Sequence, residues 1–189
     1  MIQESQLLDI SNRLKPVSGR KAPIKLHAKT KVYLSTSSQD KEVVGTIMDL
    51  LVSMEAGSYV DWLDNKTDNF NNNRIGFAKR LAKMIKRQNK YILVLTRQTL
   101  NSQWSKWELG IAHTLKFKKD ELAIFPVVRE EDIYLQWEFH NIYPHIVFTN
   151  KAGIELDDIK SILNCFQIIY PPRKGTRPMR MSLQKWLLK

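Results

Sequence analysis

An α/β sandwich built on a parallel sheet is the fold class the sequence predicts, and three observations predict it. Short apolar segments of strand character alternate with segments of helical periodicity from Lys31 to Phe166. One strand candidate, Tyr91-Ile-Leu-Val-Leu, is apolar without interruption, as a central strand covered on both faces must be. The composition, 43% apolar and 26% charged over 189 residues, suits one compact domain that buries a core. It excludes a disordered, collagenous or disulfide-stapled chain.

The elements follow in order. Residues 1–29 read as a basic N-terminal extension broken by Pro16, Gly19 and Pro23. The domain proper spans 30–170 and opens with a strand at Lys31-Val-Tyr-Leu, running into the polar loop Ser35-Thr-Ser-Ser. Val43, Ile47, Leu50, Leu51 and Met54 then fall on one helical face, with Asp40 as N-cap and Gly57 as terminator. Tyr59 to Leu63 is the second strand, and the Asn-rich stretch from Asp64 to Asn73 a long loop. A helix from about Ile75 to Arg87 buries Ala78, Leu81, Ala82 and Ile85. After Tyr91–Leu95 come a helix around Ser102–Lys116, the strand Ala123–Val128, the strand His145–Phe148 and a helix from Leu156 to Phe166. Residues 171–189 form a basic tail, in which Leu183, Trp186 and Leu187 have the spacing of a short helix docking on the domain.

The net charge of +11 sits mostly at the ends: residues 1–29 hold six basic and two acidic side chains, residues 151–189 eight and three. Those ends read either as solvated flanks or as a handle for an anionic partner, and no interleaved aromatics favour nucleic acid. No run approaches the ~20 apolar residues of a membrane span, and the N-terminus lacks the pattern of a signal peptide. With a single cysteine, Cys165, these features predict a cytoplasmic protein. Cys165 lies in an apolar run and reads as a buried small hydrophobe. Neither common phosphate-cradling glycine loop is present. His27, His113, His140 and His145 lack metal-ligand spacing, so no metal is expected.

Right-handed crossovers bring the loops after the strands to one edge, where a ligand would bind. On that edge Ser102-Gln-Trp-Ser-Lys-Trp-Glu-Leu-Gly-Ile-Ala-His carries the most information. With Trp104 at 0° and about 100° per residue, Glu108 falls at about 40°, within a stripe of Trp104, Trp107, Ile111, Ala112 and Leu115. An acid there must be paired or line a cleft, because an isolated buried carboxylate is too costly. Ser105-x-x-Glu108 also has the form of a capping box, so a purely structural role stays open.

From Lys31 to Val128 the chain resembles the Toll/interleukin-1 receptor (TIR) domain, particularly its bacterial members. Three blocks carry the resemblance: Lys31-Val-Tyr-Leu-Ser-Thr-Ser-Ser-Gln-Asp-Lys, Tyr59-Val-Asp-Trp-Leu-Asp, and Tyr91-Ile-Leu-Val-Leu-Thr followed by Ser102-x-Trp-x-x-x-Glu-Leu, which looks like the WxxxE helix. One departure is Asn71-Asn-Asn-Arg, where the family often has Gly-Asp or Gly-Glu. The resemblance implies a three-layer, flavodoxin-like fold with about five parallel strands flanked by helices.

It also implies chemistry. Many bacterial TIR domains cleave NAD⁺ between nicotinamide and ribose, with the glutamate matching Glu108 as catalytic residue. NAD⁺ is then a substrate, and no cofactor is implied. Trp104 would offer a ring to a base, Ser35, Thr36, Ser37 and Ser38 would supply donors to the nucleotide, and Asp64 would fix the neighbouring loop or a ribose. Each has an ordinary alternative: a core aromatic, a strand–helix turn, a turn acid. Stand-alone proteins of this size resemble the TIR component of Thoeris-type antiphage systems. That likeness implies self-association on activation and a separate effector reached through a nucleotide product. The rival expectation is a TIR scaffold that works by protein–protein assembly without catalysis.

Overall fold

The computed structural model describes residues 2–14, 28–63, 74–128, 141–149, 158–172 and 176–189. Among them the strands are β1 (Ile2–Gln3), β2 (Thr30–Ser35), β3 (Ala56–Tyr59), β4 (Lys90–Leu95), β5 (Leu122–Val128), β6 (His145–Phe148), β7 (Phe166–Ile169) and β8 (Arg180–Ser182). The helices are α1 (Glu4–Arg13), α2 (Lys41–Ser53), α3 (Arg74–Arg87), α4 (Arg97–Asn101), α5 (Gln103–Lys116), α6 (Ile159–Asn164) and α7 (Leu183–Leu188). They make one sheet in the order β3-β2-β4-β5-β6-β7-β8, parallel from β3 to β6 and antiparallel beyond, with β1 added in parallel to β5. The parallel run of five strands from β3 to β6 meets the expectation of an α/β sandwich.

The pleat sends alternate residues to opposite faces, so the sheet divides two cores. Val32, Leu34, Ile92, Val94, Ala123, Phe125 and Val127 share one with buried residues of α1, α2, α6 and α7. Tyr33, Tyr59, Tyr91, Leu93, Leu95, Leu122 and Ile124 share the other with Leu81 and Ile85 of α3 and Leu109 and Ala112 of α5. Burial on both faces explains why β4 from Tyr91 onward and all of β5 are apolar.

Several boundaries differ from the sequence reading. α2 ends at Ser53, and Glu55, with φ of 63°, turns the chain in the left-handed region. The second strand therefore starts at Ala56 and contains Gly57, while Asp61–Leu63 is a 3-10 turn rather than strand. Asp40 occupies the N-cap position of α2, but its side chain does not cap; it accepts a hydrogen bond from Thr96 Oγ1 at 2.7 Å. The helix expected over 156–166 is confined to Ile159–Asn164 among the described residues, and Phe166–Ile169 pairs with β6 as an antiparallel strand. Cys165, at that helix end, is buried as expected.

Both ends are tied in. Ile2 and Gln3 pair with Val127 and Val128, and Leu7, Ile10 and Leu14 are buried. At the other end Ser182 caps α7, Leu183, Trp186 and Leu187 are buried, and Thr30 Oγ1 donates to the Leu187 carbonyl at 2.8 Å. Lys90 Nζ lies 4.6 Å from the centroid of the Trp186 ring, and Lys189 Nζ reaches Asp120 Oδ2 at 2.9 Å. Much of the terminal sequence that could read as solvated flank is thus part of the sheet and its covering layer.

Candidate active site

The site is built on period two and on register. Tyr33 and Ser35, two residues apart on β2, emerge on the α5 side of the sheet. Strand pairing sets Tyr33 opposite Tyr59 on β3 and opposite Tyr91 on β4. The three rings form a row: Tyr33 and Tyr91 stack with centroids 5.7 Å apart, and Tyr33 and Tyr59 tilt at 5.5 Å.

Glu108 comes down on this row from α5. Tyr33 Oη donates to its Oε1 at 2.7 Å and Ser35 Oγ to its Oε2 at 2.5 Å. The glutamate is 1% exposed. Burial pushes its carboxyl up to about 8, and the charge of Asp61 adds to the rise; the Ser35 and then the Tyr33 hydrogen bond pull it part of the way back. Asp61, buried at the start of the turn after β3, is itself raised by burial. The backbone N–H groups of Trp62 and Asp61 and the Arg80 guanidinium counter that rise. The Tyr33 and Tyr91 hydroxyls are raised far above their ordinary value, first by burial and next by the charge of Glu108. Burial and the neighbouring charge of Asp61 thus hold Glu108 toward the neutral form, beside a row of tyrosines.

The capping-box reading of Glu108 does not hold. α5 starts at Gln103 with Ser102 as N-cap, its hydroxyl accepting from the Ser105 N–H at 3.2 Å. Ser105 is consequently buried inside the first turn, and the carboxyl of Glu108 is spent on β2. The buried residues Ser105, Glu108, Leu109, Ala112 and Lys116 centre about 90° round the helix from Trp104. Glu108 lies in that stripe, whereas Trp107 is 38% exposed.

The other expected site residues scatter. Ser35 touches Glu108 directly. Thr36 is buried beside it, Ser38 is exposed, and Ser37 Oγ accepts from the Gln39 N–H at 3.3 Å. Asp64 lies outside the described residues, as does Asn71-Asn-Asn-Arg but for Arg74, which opens α3. Trp104 turns toward α3, packing on Phe77 at 5.1 Å and stacking on Trp107 at 4.9 Å. The structure therefore joins Glu108 and Ser35 and sets Trp104 in an aromatic ladder with neighbours of its own.

Sequence reading missed Tyr33 and Asp61 as partners of Glu108. A signal for the first existed, since hydroxyls at i and i+2 on a strand must share a face. A hollow of about 440 Å³ was also missed; Ser37, Gln39, Arg97, Gln98, Asn101 and Ser102 line it, between the loop after β2 and the α4–α5 junction. A smaller one lies beneath α4 and α5 against Leu93, Leu95 and Leu109. Neither of these is lined by Glu108.

Among the described residues no three His, Cys, Asp or Glu side chains gather to hold a metal, and no helix is long and apolar enough to cross a membrane. His113 instead meets the Tyr143 hydroxyl at 3.0 Å and stacks on Phe117. His27 and His140 lie outside the described residues. The sequence profile of a family described as TIR domain matches residues 32–163, 132 of the 189. Comparison with curated proteins gives no match.

Proposed function

The chain belongs to the TIR domain family, which includes NAD⁺-cleaving enzymes and scaffold proteins, and from that premise we propose that it cleaves the nicotinamide–ribose bond of NAD⁺. One observation carries this reading: a single carboxyl, Glu108, meets hydroxyls of β2 where that strand ends, at the edge where α/β sheets bind ligands. Glycoside hydrolysis commonly needs a second carboxyl to protonate the leaving group. Nicotinamide leaves a pyridinium as a neutral molecule and needs no proton. One ionised carboxylate can then hold a ribose hydroxyl and stabilise the positive charge that develops on the sugar. Water attacks the anomeric carbon, giving ADP-ribose, nicotinamide and one proton; attack by the nucleotide's own adenine would give a cyclic product.

In this state Glu108 is closed in and held toward the protonated form. Turnover requires it to open toward the substrate and to lose its proton. An activating step, such as self-association that completes the pocket, would supply both. The product would serve as a signal to a separate effector in bacterial antiphage defence, a role resting on the family resemblance alone.

A second reading, a scaffold acting by assembly, draws on the same burial, because a carboxyl 1% exposed with both oxygens bonded can be purely structural. Nicotinamide release from NAD⁺, followed by chromatography at several protein concentrations and with Glu108→Gln as control, separates the two. Release by the parent and loss in the variant is the expected result. Equal turnover by both removes Glu108 from the mechanism, and none by either under activating conditions leaves the scaffold.

A further inference from the structure

The edge of the sheet opposite Glu108 gathers positive charge. β2 and β4 run in parallel from Thr30 and Lys90, so their starts lie at the far end of the strands from Ser35, which bonds Glu108. Asn89 and Lys31 meet there: the Asn89 N–H donates to the Lys31 carbonyl and the Lys31 N–H to Asn89 Oδ1, both at 2.8 Å. Lys116 Nζ donates to the Gln88 carbonyl at 2.6 Å, which brings in the end of α5. Asp120, in the turn that follows Lys118 and Lys119, accepts from Tyr170 Oη at 2.9 Å, and the preceding Ile169 pairs with Arg180 on β8. The two basic ends of the sequence also meet here, because Thr30, next to Lys29, donates to the Leu187 carbonyl.

Lys29, Lys31, Arg87, Lys118, Lys119 and Arg180 are exposed along this edge. Its acids are largely committed. Glu121 pairs with the buried Lys116 and Asp120 with Lys189, each at 2.9 Å. Glu55, beside Ala56 where β3 starts opposite Thr30, is exposed. Among the described residues none of the six cations makes an ion pair. The helix dipole accounts for Arg87, in the last turn of α3. It does not account for Lys31 and Arg180, which lie on strands. Like charges repel one another, and an anionic partner relieves that repulsion.

The dimensions and chemistry choose among anionic partners. Five strand spacings of about 4.8 Å separate Lys31 on β2 from Arg180 on β8, so the row spans about 24 Å. A nucleic-acid duplex presents one phosphate charge about every 1.7 Å of its axis, so the row faces about seven base pairs. Interleaved aromatics serve the unstacked bases of single strands, whereas a duplex backbone asks for cations. An anionic bilayer would need apolar side chains to insert. The apolar face of α7, with Leu183, Trp186 and Leu187, is buried in the core, which leaves this edge Met179 and Leu188.

We propose that this edge docks the phosphate backbone of double-stranded nucleic acid without reading its sequence. The contact is independent of the reaction at Glu108, since the two lie at opposite ends of the strands. The test uses the full chain and labelled DNA duplexes of two unrelated sequences, followed by fluorescence anisotropy at rising salt. Both duplexes should bind alike. If all six cations engage, log K should fall against log salt with a slope of about −5, at about 0.9 per phosphate. Lys31→Glu with Arg87→Glu, or Lys118→Glu with Lys119→Glu, should weaken binding about tenfold or more at low salt. Lys41→Glu with Lys106→Glu makes the same change in net charge at exposed positions in the first turns of α2 and α5, toward the Glu108 end. That pair should weaken binding less than about threefold, because salt screens charges so far from the row.

Equal losses in the two kinds of variant would assign binding to net charge alone and overturn the proposal. No change in anisotropy with either duplex at low salt overturns it as well. Binding to phosphatidylserine vesicles or to polyglutamate, with none to duplex, overturns it in favour of a lipid surface or an acidic protein.

Discussion

The two faces of this sheet are packed with different chemistry. Toward α1, α2, α6 and α7 the central strands present Val32, Leu34, Ile92, Val94 and Phe125, and the core there is aliphatic with phenyl rings and the Trp186 indole. Toward α3 and α5 the same strands present Tyr59, Tyr33, Tyr91 and Ser35, and a glutamate descends among them. The first face can only stabilise. The second stabilises less reliably, because its acid must be kept neutral or hydrogen-bonded, but it is where chemistry can be done. One strand, β2, serves both faces, so the site is anchored to the main core by the backbone itself.

The largest effect should come from breaking the inert face. Phe125→Ala removes a ring packed edge-on against Phe166 at 6.0 Å and should cost about 3–5 kcal/mol in urea denaturation. Activity per folded molecule should be retained. Glu108→Gln should act the other way, lowering NAD⁺ turnover by about 10²–10³-fold, the scale of a lost transition-state electrostatic contact, with a melting temperature near pH 7 no lower than the parent's.

The faces should also differ in pH response. An acid whose pKa rises on folding stabilises the fold while protonated. Glu108 therefore contributes fully below its ordinary value of 4.5, and the contribution is lost as pH climbs toward about 8. Parent stability should fall relative to Glu108→Gln across that window, by at most about 1.4 kcal/mol per pH unit for one proton. Thermal melts from pH 4 to 9 on both proteins check it; parallel curves would place Glu108 in a wetter setting. If turnover needs the ionised form, kcat should rise through the same upper limb.

Smaller effects sharpen the contrast. Tyr33→Phe deletes one donor to Glu108 and should cost about 0.5–1.5 kcal/mol. Because that donor favours the carboxylate, its loss should move the rise in kcat to higher pH. Least of all, Lys189→Ala removes a 2.9 Å ion pair whose lysine is 58% exposed, and should change stability by about 1 kcal/mol or less. The tail stays docked because Trp186 and Leu187, not that charge, hold it.

Much of the fold was legible because hydrophobic periodicity reports burial directly. Tyr91–Leu95 read as a central strand, and it is one. Boundaries were less legible where one backbone torsion decided them: Glu55 takes up a conformation that glycine usually serves, and so hid the end of α2. The stripe on α5 was misplaced because Trp104 and Trp107 looked like fully buried residues, whereas Trp104 packs on Phe77 at the edge of the core and Trp107, stacked on it, is exposed. Glu108 was singled out as an acid in the wrong place, but the sequence offered its own helix end as an equally good partner.

By itself the sequence determined the alternation of strands and helices from Lys31 to Val128, the two-sided burial of the centre and the presence of one acid among apolar neighbours. These are properties of local spacing. Only the tertiary structure decided that Glu108 bonds Tyr33 and Ser35 rather than a backbone N–H, that three tyrosines from three strands align beneath it, and that Arg97 opens onto a recess beside Ser37. Those facts depend on strand register and helix rotation, which long-range packing sets.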